Sequence, residues 1–529
     1  MAKHSDTPHS HDARWKAAQQ AESMGDWEQA EHHYSALVEE QPHHVPALLR
    51  LSRYAQRHDQ YGRAHDFALR AADAVRLGSS PRHLGYVTLR LLDFSEDAEL
   101  ASSILSASWT HPEIIRQSPV LAQHLWLAGR FDDALRLMDQ ANRILGPNPL
   151  LLYTRANVLQ FSGKIDESAA LLRHVLTLKP DFIDAHWTAA KHPALAGDAA
   201  IEQSLRKVLE AHANNAPGSA QLGCALFHHL DARSETDAAW QALTRANASM
   251  RPHVHYRGDR LADQLQQLMD TAVADPTHAP VTTTQPAPVF VVGLPRTGTT
   301  LLDRMLGNHG WISSAGERND FNAAVSEVSG RFFYGPGSTD EIETEWPIDA
   351  RGVGQRYLER LRRAASATAF ATDKHPQNLF NIPLILKALP HAKILCLSRA
   401  GMDAAFSNFK EFFHGGAYGY SYSIDTLATH VQLAQRWTAF WAHCAPDRVL
   451  EVRYEDLVTD AEATLASIFE FIGVPVLPGL SDITRNTTPV TTASSTQVRQ
   501  PLHARGIGAW QRYAQQLAPL RALLHPAHS

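Results

Sequence analysis

The stretch Pro288-Val-Phe-Val-Val-Gly-Leu-Pro-Arg-Thr-Gly-Thr-Thr-Leu-Leu302 constrains the fold of this chain more than any other. Val289 to Val292 predict a buried strand. The run then breaks into a loop bracketed by Gly293 and Gly298, and apolar residues resume at helical spacing through Leu301, Leu302, Met305 and Leu306. Strand, glycine loop and helix make a cradle in which backbone N–H groups and the positive end of the helix dipole converge on an anion. The spacing Gly-x-x-x-x-Gly is that of nucleoside-triphosphate loops, but Thr299 stands where the lysine that reaches the outer phosphates of ATP belongs. An ATPase is therefore disfavoured. Arg296, inside the loop, offers a guanidinium to the anion instead. Taken alone, the glycines would suit a turn in any α/β domain.

Further along, Glu317 lies in Ser313-Ser-Ala-Gly-Glu-Arg-Asn-Asp-Phe321, one helix and a return after Arg296, so the chain can bring its carboxylate back to the mouth of the loop. A carboxylate there can take the proton of an attacking hydroxyl; capping a helix from Asn319 is the plainer role. An amphipathic helix is predicted over Tyr357–Ala371, ahead of Ala371-Thr-Asp-Lys-His-Pro-Gln-Asn378. Pro376 stops regular structure, which sets Lys374 on a loop or strand end, where an ammonium can neutralise charge on a departing group. Ala392 to Arg399 reads as a strand ending in arginine, and Ser407 follows about two helical turns later. Ligands of open α/β sheets collect at the carboxyl ends of strands, which is where Arg399 lies. Val449–Val458 reads as another strand, and the aromatic, glycine-rich stretch Gly415–Tyr422 equally as a mobile loop near a pocket or as structural packing.

The string Pro295-Arg-Thr-Gly-Thr-Thr300 resembles the 5′-phosphosulfate loop of sulfotransferases, which move a sulfuryl group from 3′-phosphoadenosine 5′-phosphosulfate (PAPS) to an acceptor and release 3′,5′-adenosine bisphosphate (PAP). Joined to Gly316-Glu317, it resembles the protein-tyrosine sulfotransferases and the bacterial proteins that carry tetratricopeptide repeats ahead of a sulfotransferase domain. The resemblance implies that Glu317 is the catalytic base and that Lys374, in an Asp-Lys-x-Pro pattern, assists the leaving group. It also implies that Arg296, Thr297, Gly298, Thr299 and Thr300 hold the phosphosulfate, and that Arg399 with Ser407 binds the 3′-phosphate. Tyr454, in Tyr-Glu-Asp-Leu, becomes a cofactor contact, although a core tyrosine would read the same, and a serine and a basic residue complete the nucleotide site, here Ser495 and Arg505 with neighbouring Ser494 and Arg499 as alternatives. His375 is a second candidate for the base, since small-molecule sulfotransferases use a histidine in Lys-x-His order. Here the two are adjacent, and neighbours on an extended segment point to opposite sides.

The first half has a different pattern. Gly25-Asp-Trp-Glu-Gln-Ala30, Gly129-Arg-Phe-Asp-Asp-Ala134 and Gly163-Lys-Ile-Asp-Glu-Ser168 repeat one phrase, and Gly129, Gly163 and Gly197 are spaced by about 34 residues, the tetratricopeptide period. Tyr61-Gly-Arg-Ala-His breaks the strict period, and five to seven helical pairs are expected. Such pairs bury their apolar faces only by stacking, which creates a surface for a peptide or a scaffold for the second half. The expected fold is thus an all-α tetratricopeptide-like helical repeat domain followed by an α/β, P-loop-like parallel-sheet sulfotransferase domain. Residues 1–11 read as a disordered tail, 12–270 as the repeats, 271–286 as a Pro/Thr-rich linker, and 287–529 as the catalytic domain.

A net charge of -6 gives no reason to expect nucleic-acid binding, and no apolar run is long enough to span a bilayer. Three distant cysteines suit a reducing, cytoplasmic setting and supply no metal-ligand spacing; no metal is called for. The expected partner is a peptide or protein acceptor held by the repeats, an exposed tyrosine being preferred over a small phenol or a saccharide, with no nucleic acid and no membrane, and the chain is compatible with a homodimer. The rivals are a nucleotide kinase with a modified phosphate loop, needing Mg²⁺ and ATP, and a non-catalytic repeat scaffold.

Overall fold

Left-handed residues punctuate the first half of the computed structural model, which describes residues 8–212, 215–272, 286–336, 348–365, 367–413, 416–486 and 501–525. Gly25, Asp59, Ser95, Gly129, Gly163, Gly197 and Ser234 all have positive φ and recur roughly every 35 residues. Each is followed two positions later by a new helix, at Trp27, Tyr61, Asp97, Phe131, Ile165, Ala199 and Thr236. The phrase visible in the sequence is therefore only part of the repeat. Its glycine is replaced by aspartate or serine at three turns, yet the backbone closes alike: Gln60 N–H bonds Ala55 O at 2.8 Å and Glu96 N–H bonds Leu91 O at 3.0 Å, as Arg130 N–H bonds Leu125 O at 2.8 Å. The first helix, Pro8–Ser23, begins earlier than the sequence places it.

Two compact units result, one of Met1–Arg155 with Asn322–Phe333 and one of Ala156–Phe321 with Tyr334–Ser529. Within the first, the irregular turn at Asp59 has acquired a task. Its carboxylate accepts Phe332 N–H at 2.7 Å and Arg331 Nε at 2.6 Å, and Tyr61 N–H bonds Gly330 O at 2.8 Å. The Phe332 ring enters an aromatic cluster, 5.1 Å from Tyr61 and 6.1 Å from Phe94. A glycine at position 59 could form the turn but could not hold that segment.

The second unit is built on a parallel sheet of β1 (Ala287–Gly293), β2 (Ile312–Ser314), β3 (Phe370–Asp373), β4 (Lys393–Ser398) and β5 (Val449–Arg453). The order is β2-β3-β1-β4-β5, with Phe290 in register with Asp373 and Gly293 with Leu397. Central β1 is buried because Val289, Phe290, Val291 and Val292 meet helices on both faces, and Leu302, Met305, Leu395 and Phe469 share its core. Since β3 and β4 flank β1 on opposite sides, the chain order reverses beside β1, and a crevice opens at the carboxyl ends there.

The later helices of the first half pack directly on this sheet domain. Trp240 lies between Phe409 and Tyr513, with ring centroids 5.7 and 5.9 Å away; Asn247 Nδ2 bonds Phe409 O at 3.0 Å; Asp231 accepts Tyr513 OH at 2.7 Å.

Several sequence expectations require correction. The helix expected over Tyr357–Ala371 is Ala350–Ala364; Ala365 turns extended, and Phe370–Asp373 is β3, paired along β1. The strand expected to reach Val458 ends at Arg453, and Tyr454–Thr459 is a short helix with Glu455 and Asp456 in its first turn, where a helix dipole favours carboxylates. In keeping with the packing alternative, Gly416–Tyr422 forms a 3₁₀ turn whose Tyr420 OH bonds buried Asn408 at 3.0 Å. Among the described residues no helix is long and apolar enough to cross a membrane.

Asp59→Ala deletes the acceptor for two donors and forces a left-handed alanine. It is expected to lower stability by about 1–3 kcal/mol in urea unfolding, against about 0.5 kcal/mol or less for Asp66→Ala on the neighbouring exposed helix face. Equal midpoints for the two variants would contradict this role for the turn.

Candidate active site

The loop after β1 is shaped by close contacts on all sides. Gly293 (φ 148) has no room for a side chain: a Cβ there would meet Leu397 O of β4 at 2.5 Å. Arg296 adopts φ 68, unusual for a residue with a Cβ, and Gly298 (φ 106) lies under the Tyr454 ring, which a Cβ would meet at 2.8 Å. Three hydrogen bonds fix the loop: Asn408 Nδ2 to Pro295 O at 2.9 Å, Thr297 Oγ1 to Leu294 O at 2.7 Å, and Arg399 Nη1 to Arg296 O at 2.8 Å. The helix Thr299–Leu306 then starts, with Thr299 and Thr300 of its first turn at the crevice.

Arg399 directly follows β4, so the parallel pairing of β1 with β4 carries it to the loop. Its second Nη donates to Gly506 O, and its guanidinium lies 4.6 Å from the Tyr454 ring centroid. Burial lowers its pKa, and its Nε is buried without a hydrogen-bond partner. The chain comes down over the site through Gly506, whose missing Cβ would stand 2.5 Å from Tyr454 OH, and Gly508, whose N–H bonds Asp403 Oδ2 at 2.8 Å.

Glu317 and Lys374 meet for an equally local reason. The β2–β3 ladder continues past β2: Ala315 N–H bonds Thr372 O at 2.9 Å and Lys374 N–H bonds Gly316 O at 2.9 Å. The Glu317 carboxylate is thereby set against the Lys374 ammonium in an ion pair, with Lys374 only 2% exposed. Asp303, its pKa raised by burial, ties the two strand ends together by accepting Ser314 Oγ at 2.9 Å and Thr372 Oγ1. Beside Glu317, the Tyr418 hydroxyl is pushed up to about 12 by burial and then by the Glu317 charge, and its ring stacks on Phe413 at 4.5 Å.

One cavity of about 520 Å³ brings together Arg296, Gly298, Thr299, Thr300, Glu317, Arg399, Ser407, Tyr454 and Arg505. Thr297, Lys374 and His375 do not line it. Thr297 has turned its hydroxyl to the loop backbone, and Lys374 adjoins the cavity through Glu317. His375 caps the short 3₁₀ turn Pro376–Leu379, donates its backbone N–H to Asp373 Oδ1 at 3.2 Å, and has its imidazole held neutral by burial. Ser495 lies outside the described residues.

The sequence reading omitted Asp403 and Lys410, both of which line the cavity. Lys410 comes one turn after Ser407 at the end of the helix Gly401–Phe409, a spacing that offered a signal. Its pKa is lowered to about 8, first by burial and then by the charge of Arg296. Arg296, Arg399, Lys410 and Arg505 thus surround a space whose lining carboxylates are Glu317 and Asp403. The excess of fixed positive charge, the backbone cradle and the unpartnered Arg399 Nε suit a ligand with two anionic ends.

Comparison with known proteins bears on the same region. Residues 288–478 match the sulfotransferase family. A protein of Aquifex aeolicus (strain VF5) with no described activity is 24% identical over 404 residues, covering 74% of this chain and 52% of that protein. Protein-tyrosine sulfotransferase 1 of Danio rerio is 23% identical over 191 residues, 35% of this chain and 53% of that one. The chain spans about half the length of these curated relatives. Among solved structures, a sulfotransferase domain from the curacin biosynthetic pathway aligns over 44% of this chain and 98% of its own, at 17% identity and a TM-score of 0.27. Sulfotransferase STF9 from Mycobacterium avium aligns over 50% and 83%, at 14% identity and a TM-score of 0.26.

Lys410 gives the site a pH signature. Its neighbours Arg296 and Arg399 disfavour its charge and Glu411 and Asp231 favour it, so an arriving anion adds to the latter and raises the pKa. Affinity for an anion bound in the cavity, with PAP as the probe, is expected to be highest below pH 8 and to fall as pH rises through it, with proton uptake on binding near pH 8. Titration calorimetry in buffers of different ionisation enthalpy measures this. Lys410→Met is expected to remove the dependence, and a wild-type affinity flat from pH 7 to 9 would contradict it.

Proposed function

We propose that this chain, whose residues 288–478 belong to the sulfotransferase family, transfers a sulfuryl group from PAPS to an acceptor hydroxyl, preferably that of a peptide tyrosine. The observation that carries the reading is the bond from Arg399 to the Arg296 carbonyl, which joins two anion-binding elements across one cavity that also holds Glu317. A nucleotide with a phosphosulfate at one end and a phosphate at the other needs two such elements. ATP would need the lysine that Thr299 replaces.

The bound donor supplies an activated sulfuryl group on a good leaving group. The loop N–H groups, Thr299, Thr300 and Arg296 hold the phosphosulfate, while Arg399, Ser407 and Arg505 hold the 3′-phosphate, with Tyr454 between the two. Gly298 leaves room for the Tyr454 ring and Gly506 for its hydroxyl. Glu317 accepts the acceptor proton as the new O–S bond forms. The electron pair of the breaking bond would go to the oxygen of the departing bisphosphate, where Arg296 would meet the charge directly and Lys374, behind Glu317, would add its positive field. Pairing with Lys374 orients the Glu317 carboxylate. The stacked Tyr418 and Phe413 form an aromatic wall that suits a phenol.

The helical pairs recurring at the tetratricopeptide period are read as the platform for the acceptor protein, and the cytoplasm as the compartment. Glu317→Gln is expected to lower kcat about 10²- to 10⁴-fold while leaving PAP affinity within about twofold. Ser407→Ala is expected to weaken PAP binding about tenfold with little effect on kcat at saturating donor. Initial rates of sulfate transfer to a tyrosine peptide measure the first and calorimetry the second. Undiminished turnover in Glu317→Gln would remove the carboxylate from the mechanism.

A further inference from the structure

Glu411, two residues beyond the helix Gly401–Phe409, is 4% exposed and faces two cations. One is Arg296 of the anion loop, whose Nε stands 3.9 Å from Oε2. The other is Lys191, the last residue of the helix Ile183–Lys191 in the first half of the chain, whose ammonium makes direct contact with Oε1. Arg296 lines the cavity; Lys191 and Glu411 do not. Lys191 also lies over the Trp187 ring, 4.5 Å from its centroid.

A buried carboxylate near an anion site is a liability, because in low dielectric it competes with the ligand for the nearest cation. The geometry here divides the two oxygens unequally. The close contact is to Lys191 and the looser one, beyond hydrogen-bond range, is to Arg296. We propose that Lys191 is a positioning residue for the donor site: by engaging Glu411 it keeps that carboxylate from closing on Arg296, so that the guanidinium is oriented by Glu411 without being neutralised by it. The later helices of the first half thereby belong to the enzyme's chemistry as well as to its surface. This inference rests on the reading of Arg296 as a ligand of the donor's phosphosulfate.

The sign of the effect separates this role from packing. Without Lys191, Glu411 loses its close partner and is drawn toward Arg296, and binding of an anion must then break that pair. Lys191→Met is expected to weaken PAP binding roughly tenfold, and Lys191→Arg to keep it near wild type. Glu411→Gln alone is expected to bind as tightly as wild type or tighter. The double variant Lys191→Met/Glu411→Gln is expected to return to within about twofold of wild type, because the competing charge is gone. Lys191→Gln, polar and closer in shape, repeats the test should the methionine variant fold poorly, and thermal midpoints report on folding for each. A Lys191→Met protein that binds PAP like wild type, or a double variant no better than the single one, would overturn the inference while leaving the donor site intact. A wild-type protein that does not bind PAP at all would overturn the donor reading and this inference with it.

Discussion

The hydrogen bond from Arg399 to the carbonyl of Arg296 is the contact on which the rest of the site depends. It exists because β1 and β4 are parallel neighbours, so the segment leaving each strand emerges on the same edge. It also accounts for the left-handed backbone at Arg296. A carbonyl turned toward a buried guanidinium repays a conformation that a residue with a side chain otherwise avoids. That carbonyl is engaged by Arg399 and the neighbouring Pro295 carbonyl is held by Asn408, so the loop is fixed with Arg296 and Gly298 lining the crevice.

The same logic extends outward. Tyr454 stands where Gly298 and Gly506 both lack a side chain, so one ring sets the spacing between the loop and the C-terminal segment. Glu317 is placed by an extension of the β2–β3 ladder and not by its own helix, which gives the pair with Lys374 the rigidity of a sheet edge. Behind the loop, the ion pair of Lys191 with Glu411 brings helices far earlier in the chain into the same electrostatic arrangement. The division of the molecule reflects this: the helices from Ala156 onward share a compact unit with the sheet, while the earlier ones form another with Asn322–Phe333.

What was legible in the sequence was what backbone chemistry demands. Gly293 and Gly298 are fixed by clashes at 2.5 and 2.8 Å, so the loop announces itself. The repeat was half visible for the converse reason. A left-handed turn prefers glycine without requiring it, and at Asp59, Ser95 and Ser234 other side chains occupy it, in one case to bind Arg331 and Phe332. Lys410 was marked only by its spacing from Ser407, and Glu411 not at all, because their meaning is tertiary: each acts through Arg296, more than a hundred positions away. The helix assigned too far, to Ala371, failed because the apolar residues near Phe370 serve a strand whose partners, β1 and β2, lie far upstream.

The central claim is that two anion sites share one nucleotide. It is tested most directly by titrating the wild-type protein with PAP and with adenosine 5′-monophosphate, which differ only in the 3′-phosphate, and repeating both with Arg399→Ala. Charge-assisted contacts at the second site are expected to make PAP bind about 10- to 100-fold tighter than the monophosphate, and Arg399→Ala to erase most of that difference. Equal affinities of the wild-type protein for the two nucleotides would contradict the account.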